Sequence, residues 1–244
     1  KLGGRPIRFL RDGGFQGKVY PVNSRNTEIQ GYPAFTSIKD IPGPVDQAII
    51  ILPAAACQAA LEECGEKGVK VVQVFSSGFA EIGPEGVLAQ KQLVATAKRY
   101  GMKLLGPNCL GVVGVVNRFF ATFSTALEAL TPSPGTISIA TQSGAFGSCA
   151  YSIAIQRNMG LSRIVATGNE AHIDVAECID YFAQDSGTKV ICAAIEGCQD
   201  GNRLRAALLK AAQNNKPVII MKVGTSSVGI AAAATHTGSL AGND

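Results

Sequence analysis

The run Ala48-Ile49-Ile50-Ile51-Leu52 is apolar at every position. A strand with one wet face alternates apolar and polar side chains, so a run without alternation needs cover on both faces. Runs of this kind recur along the chain. The expected strands are Lys18–Val22, Asp46–Leu52, Val69–Phe75, Lys103–Leu105, Thr136–Ala140, Arg163–Thr167, Lys189–Ile195 and Pro217–Val223. Amphipathic stretches lie between them, near Pro6–Asp12, Ala54–Lys67, Pro84–Tyr100, Ala145–Asn158, Ile173–Gln184 and Asn202–Gln213. Doubly buried strands alternating with helices predict parallel sheets of the α/β class. The segment Leu130-Thr131-Pro132-Ser133-Pro134-Gly135 breaks the rhythm with two prolines and a glycine. Such a connector is short and stiff, and it sets an expected boundary between domains at 1–130 and 131–244.

Composition narrows the class. Of 244 residues, 46% are hydrophobic and 16% charged, enough apolar material for a core and against disorder. The net charge is +4, with Lys and Arg scattered, so no nucleic-acid partner is expected, while a small anionic ligand stays open. Seven cysteines, an odd number without a CxxC pair, read as reduced thiols in a cytoplasmic protein. Cys and His are not clustered at metal-ligand spacing, so no metal site is expected. No apolar run has transmembrane length, and no membrane partner is expected. The chain opens on Lys1 without an initiator Met and stops after Gly242-Asn243-Asp244, and is read as a piece of a longer protein.

In α/β sheets ligands bind beyond the carboxyl ends of the strands. Here those positions are small and polar, including Ser76-Ser77-Gly78-Phe79, Gly106-Pro107-Asn108, Thr141-Gln142-Ser143-Gly144, Gly168-Asn169-Glu170 and Glu196-Gly197. Gly13-Gly14-Phe15-Gln16-Gly17 precedes an expected strand and is no dinucleotide fingerprint, so it reads as a turn. Ser143, Gly144 and Ala145 open an expected helix, whose free N–H groups and dipole suit a phosphate; an ordinary Ser cap explains the same residues. The residue two before Ser143 is Thr141, so the nucleophile elbow G-x-S-x-G is absent. Glu196 ends an apolar strand, where a carboxylate needs a partner. Either it caps the helix beginning near Gly201, or it orients an imidazole and leaves the other ring nitrogen free to attack. His236 is the candidate imidazole, set among small residues in Thr235-His236-Thr237-Gly238-Ser239; a plain surface histidine is the alternative. His172, just before a helix, reads as packing at the helix entry.

Five stretches carry a resemblance: GPNCLGV at 106–112, ISIATQSGAFG at 137–147, TGNEAHIDVAECIDYF at 167–182, AAIEG at 193–197 and THTGSLAG at 235–242. In their order and spacing the chain resembles the NDP-forming acyl-CoA synthetases, the family that includes the alpha subunit of succinyl-CoA synthetase. GKVYPVN at 17–23, LPA at 52–54, LEECGEKGVK at 61–70 and SSGFAEIG at 76–83 are similar to that family's CoA-binding domain. The resemblance implies a Rossmann-like CoA-binding domain followed by a flavodoxin-like parallel-sheet domain. It places His236 at the phosphorylated histidine and Glu196 at the glutamate that steadies it. Ser143, Gly144 and Ala145 fall at the helix start that receives the phosphoryl group. Asn108 falls where the family contacts CoA, and Lys18, Asn23, Pro53, Ser76, Ser77, Gly78 and Phe79 lie near the adenine, ribose and phosphate region. The implied reaction joins CoA and a small carboxylic acid through an acyl phosphate and a phosphohistidine. It implies Mg2+ with ADP/ATP or GDP/GTP on an ATP-grasp domain or subunit, and an oligomeric assembly. The family's first strand and Gly-rich loop would precede Lys1, and the ATP-grasp part lies outside the chain. Two further readings stand beside this one. A CoA-sensing regulatory module would share the resemblance but has no need of both His236 and Glu196. An NAD-dependent dehydrogenase lacks its fingerprint.

Overall fold

The computed structural model describes residues 2–129 and 131–224. The chain starts with α1 (Arg5–Asp12) and a short hairpin of β1 (Glu28–Ile29) and β2 (Tyr32–Pro33). Then follow β3 (Gln47–Ile50), α2 (Ala54–Lys67), β4 (Val71–Val74), α3 (Pro84–Arg99) and β5 (Lys103–Leu105). β6 (Gly111–Gly114), β7 (Phe119–Thr122) and α4 (Ala126–Ala129) lead into β8 (Pro134–Thr141) and α5 (Gly144–Gln156). The described part closes with β9 (Leu161–Ala166), α6 (Val175–Gln184), β10 (Val190–Ile195), α7 (Gly201–Gln213) and β11 (Val218–Lys222).

The first unit is a parallel sheet of β3, β4 and β5. Val72 and Val74 of β4 turn to one face, where they pack with Cys57, Leu61 and Cys64 of α2 and Leu93 and Ala97 of α3. Helix α2 stops where Gly68 takes φ 80°, a left-handed cap that returns its N–H to the last turn and costs a glycine little. The second unit is a six-stranded sheet in the order β11-β10-β8-β9-β6-β7. β11, β10, β8 and β9 run parallel, whereas β6 is antiparallel to both β9 and β7. Ile191, Ala193 and Ile195 of β10 point to α6 and α7, while Cys192 between them faces the α5 side. That alternation, apolar on both sides, is why the strand reads as an unbroken apolar run.

Two expectations need correction. Lys18–Val22 is not a strand; only Val22 forms a bridge, to Phe35. Pro21 has no N–H to give a ladder, and Phe35 N–H and Asn23 N–H supply the bonds around that single bridge. The sheets also divide earlier than the 131–135 connector. β6 and β7 precede it yet belong to the second sheet. Phe9 of α1 packs in the same core as Val113, Phe120, Ile139, Tyr151 and Leu161, and Arg5 and Arg8 pair with Glu128. Residues 1–130 are therefore not a self-contained layer, because β6 and β7 lie in the second sheet and Phe9, Val113 and Phe120 share a core with Ile139, Tyr151 and Leu161.

Candidate functional site

The carboxyl ends of β8, β9 and β10 meet at one edge of the six-stranded sheet. β8 ends at Thr141, and Ser143 caps α5 with its hydroxyl accepting from Phe146 N–H at 3.3 Å. Gly144 begins the helix against Leu110, with no room for a Cβ, and Ala145 is exposed. A first helical turn open to solvent at Ala145 keeps donors and the positive end of the helix dipole available to an anion. Ser143, Gly144 and Ala145 thus lie where the chain turns from strand into helix.

Glu196 follows β10 and is buried, 6% exposed. It does not cap the next helix; Asp200 does, accepting from Arg203 N–H at 3.0 Å. The Glu196 carbonyl accepts from Lys222 Nζ at 2.9 Å, which ties β11 to the same edge. Gln142 links the strand ends. Its Oε1 accepts from Glu196 N–H and from Gly197 N–H (3.1 Å), and its Nε2 donates to the Gly197 carbonyl (2.8 Å) and to Glu170 (2.5 Å). Glu170, 5% exposed, also accepts from Thr167 Oγ1 at 3.0 Å and Val175 N–H at 2.7 Å. Burial pushes its carboxyl up to about 7, against the pull of those donors, and Asp174 adds to the rise.

On the first unit, three strand-end loops converge. Ser76 Oγ donates to the Leu52 carbonyl at 2.5 Å, and Asn108 N–H donates to the Ser76 carbonyl at 2.9 Å. Pro53 precedes α2 with no side-chain cap, and Gly78, at φ 100°, sits against Ala54. Ser77 is exposed beside them. These residues form a rim at the strand ends, joined by backbone and hydroxyl hydrogen bonds. Phe79, by contrast, is 1% exposed and belongs to the core under α2 and α3. Lys18 is exposed, and the Asn23 side chain closes its own turn by accepting from Arg25 and Asn26 N–H. Neither is hydrogen-bonded to the rim among the described residues.

The two units are sewn together beside these ends. Asn169 N–H donates to the Pro107 carbonyl, and Ala171 and Ile173 N–H donate to Gly106 and Leu104. Asn108 Nδ2 reaches Asn169 Oδ1 at 3.3 Å, and Asn169 Nδ2 donates to Glu81 and to Gln90 Oε1. Glu81 in turn accepts from Gly78 N–H (2.6 Å) and Phe79 N–H (3.2 Å). Burial acts to raise the Glu81 carboxyl, but these donors outweigh it and hold it below its usual value. Gly168, at φ 65°, passes so close to the Pro107 and Asn108 carbonyls that a Cβ would collide with them. Cys109, next to Asn108, is pushed up to about 12 by burial, which makes it an inert core thiol.

His236 lies outside the described residues. His172 is half-buried in the turn before α6, and burial together with nearby Lys103 lowers its pKa. Gln142, Glu170, Asn169 and Glu81 are the residues that sequence reasoning missed as parts of the site. The first three stand in strand-end stretches, which was the available signal; Glu81 sits one turn beyond such a stretch. Among the described residues no three His, Cys, Asp or Glu side chains gather as a metal site would require, and no helix is long and apolar enough to cross a membrane.

Residues 1–115 match the family described as CoA binding domain, and residues 134–244 match the one described as succinyl-CoA ligase like flavodoxin domain. The alpha subunit of acetate–CoA ligase [ADP-forming] I of Pyrococcus furiosus is 42% identical over 248 residues, covering 100% of this chain and 53% of that protein. Acetate–CoA ligase [ADP-forming] I of Archaeoglobus fulgidus is 42% identical over 244 residues, covering 100% of this chain and 34% of that protein. The dinucleotide forming acetyl-coenzyme A synthetase 1 of Ca. Korarchaeum cryptofilum, solved in complex with phosphate and ADP, superposes with a TM-score of 0.89 at 36% identity. That match covers 100% of this chain and 51% of the solved chain. The chain therefore spans about half or a third of the length of the relatives it matches. With a CoA-binding unit followed by a succinyl-CoA-ligase-like unit, the chain belongs to the NDP-forming acyl-CoA synthetase family.

Proposed function

We propose that this chain is the CoA-binding and phosphohistidine part of an NDP-forming acyl-CoA synthetase. The single observation that carries the reading is the seam between the units. The rim at Pro53, Ser76–Gly78 and Asn108 is bonded through Asn169 to the strand ends that hold the start of α5 and the buried Glu196. Acyl-CoA bound on the rim brings its thioester to a helix start suited to phosphate. Phosphate oxygen attacks the thioester carbonyl, the C–S bond breaks, and acyl phosphate and free CoA result. The His236 imidazole then attacks phosphorus, and the carboxylate leaves as the free acid. Phosphohistidine passes its phosphoryl group to a nucleoside diphosphate, which regenerates the imidazole. Dividing the transfer into covalent steps lowers each barrier, and a preorganised helix N-terminus stabilises the phosphoryl charge without reorganisation. In this scheme Glu196 orients the imidazole, while Ser143, Gly144 and Ala145 receive the phosphoryl group. Lys18 and Asn23 are assigned to the outer part of the CoA site.

Nucleotide and Mg2+ belong on an ATP-grasp domain or subunit, so the working assembly is larger than this chain. A small carboxylic acid with ADP is the assigned pair, acetate being the first to test, since relatives 42% identical are named for both. The cytoplasm is the assigned compartment. The test incubates the protein, joined with its ATP-grasp part, with γ-labelled ATP and Mg2+, and compares His236→Ala. Acid-labile, alkali-stable label on the wild type and none on the variant is expected. Equal label on both, or none on the wild type, overturns the reading. CoA binding without any labelling would point instead to a regulatory CoA sensor.

A further inference from the structure

Gln142 leaves none of its four hydrogen-bonding positions open. Two carbonyl lone pairs take the N–H groups of Glu196 and Gly197, and two amide protons go to the Gly197 carbonyl and to Glu170. The side chain is 4% exposed, so water cannot replace a lost partner at low cost. Three of those partners are backbone groups of Glu196 and Gly197, and Glu170 is the one side chain among the four that holds the amide in this direction. The Glu170 oxygen that bonds Val175 N–H can only accept there, because a backbone N–H only donates. Its other oxygen is thereby turned to Gln142 Nε2. Glu170 itself stands at φ 53°, a region that non-glycine residues seldom occupy and that surrounding bonds must enforce. Its carboxylate is anchored to the end of β9 by Thr167 and to the start of α6 by Val175.

We infer that Glu170 is a positioning residue for phosphoryl transfer: by fixing the Gln142 amide it sets the backbone of Glu196–Gly197, and with it the direction of the Glu196 carboxylate, against the Ser143 helix start. The inference rests on the function proposed above. Gln142 is adjacent to Ser143 in the chain, so one amide fixes both sides of the phosphoryl site. Glu170 acts through Gln142 and is assigned no contact with substrate.

Glu170→Gln tests this cleanly. The new side chain keeps an acceptor oxygen for Val175 and Thr167, so the anchor to β9 and α6 survives. Its amide nitrogen then faces Gln142 Nε2, donor against donor, and the Gln142 amide must turn away. In the protein joined with its ATP-grasp part, kcat for acyl-CoA formation is expected to fall at least tenfold. KM for CoA should stay within twofold, and the first-order rate of label uptake from ATP should fall in parallel with kcat. The double variant Glu170→Gln with Gln142→Glu restores a donor facing an acceptor and is expected to recover part of kcat. A folded Glu170→Gln with kcat within twofold of wild type overturns the inference, as does a change confined to KM. Should that variant fail to fold, Gln142→Glu alone is read by the same kcat and KM criteria. Absence of label on the wild type would instead sink the proposed function, which keeps the two failures apart.

Discussion

The core under α6 and α7 and the seam at the strand ends are equally buried and built in opposite ways. In the core, Val175, Ile179, Phe182, Ile191, Ala193, Ala207 and Ala211 meet with no polar atom to satisfy. In the seam, Gln142, Thr167, Asn169, Glu170 and Glu196 are all no more than 7% exposed, yet Gln142, Thr167, Glu170 and the Glu196 N–H are joined in one network and Asn169 bonds Asn108, Glu81 and Gln90 in another. The core is held by area and volume, which many apolar sets can supply. The seam is held by donor–acceptor matching, which tolerates almost no exchange, because each orphaned group keeps its desolvation cost.

The comparison can be broken from either side. Phe182→Ala in the core should cost about 3–5 kcal/mol, seen as a lower midpoint in urea with the slope unchanged. A midpoint shift worth under about 1 kcal/mol would mean that the core is less tightly packed than drawn. In the seam, Glu170 makes stability depend on pH. Its folded pKa, about 7, lies above the unfolded carboxyl value. The folded state then holds an extra proton between the two values, so stability falls as pH rises through that window and levels off above it. The loss is on the order of 3 kcal/mol. Glu170→Gln should flatten this slope in denaturant melts taken from pH 4.5 to pH 7.5; an unchanged slope would place the titration elsewhere. Glu81 has the opposite sign. Its lowered pKa adds stability above the ordinary carboxyl value that is lost as pH falls through the folded one, below the Glu170 window.

Asn169→Ala removes the partners of Asn108, Glu81 and Gln90 together and should cost about 2 kcal/mol. It should also weaken CoA binding, measured by calorimetry, because Asn108 in the rim loses its side-chain tie to the second unit while the backbone ties stay. The smallest effect tests the rule in reverse. Gln73, in β4, is fully buried and neither polar atom of its side chain has a partner. Gln73→Leu should therefore stabilise by about 1 kcal/mol, where the same change at Gln142 would be strongly harmful. A destabilised Gln73→Leu would show that this amide holds a bond to buried water.

Much of the fold was legible. Lys103–Leu105 and Ala54–Lys67 fall where the residue pattern puts them, because doubly covered strands and a Gly-terminated helix leave plain marks. Lys18–Val22 did not follow, since an apolar β-rich run says nothing about whether a neighbour will pair with it. The β6–β7 hairpin went unread because Gly111–Thr122 carries its turn at Asn117-Arg118, with Arg118 at φ 55°, a place usually marked by glycine. In the site, Ser143 and Glu196 were visible as strand-end residues. The Asp200 cap, which removes the alternative role for Glu196, was not, because a cap depends on where the chain turns.

The sequence alone determined the α/β class, the helix start at Ser143 and the family motifs from 106 to 242, because period, capping chemistry and motif order are local properties. Only the tertiary structure decided that residues 111–122 join the second sheet, that Gln142, Glu170 and Gly197 share one buried network, and that Asn169 meets Glu81. Those outcomes depend on which backbone comes to lie beside which, and hydrogen bonds between residues 28 to 88 positions apart leave no trace in local pattern.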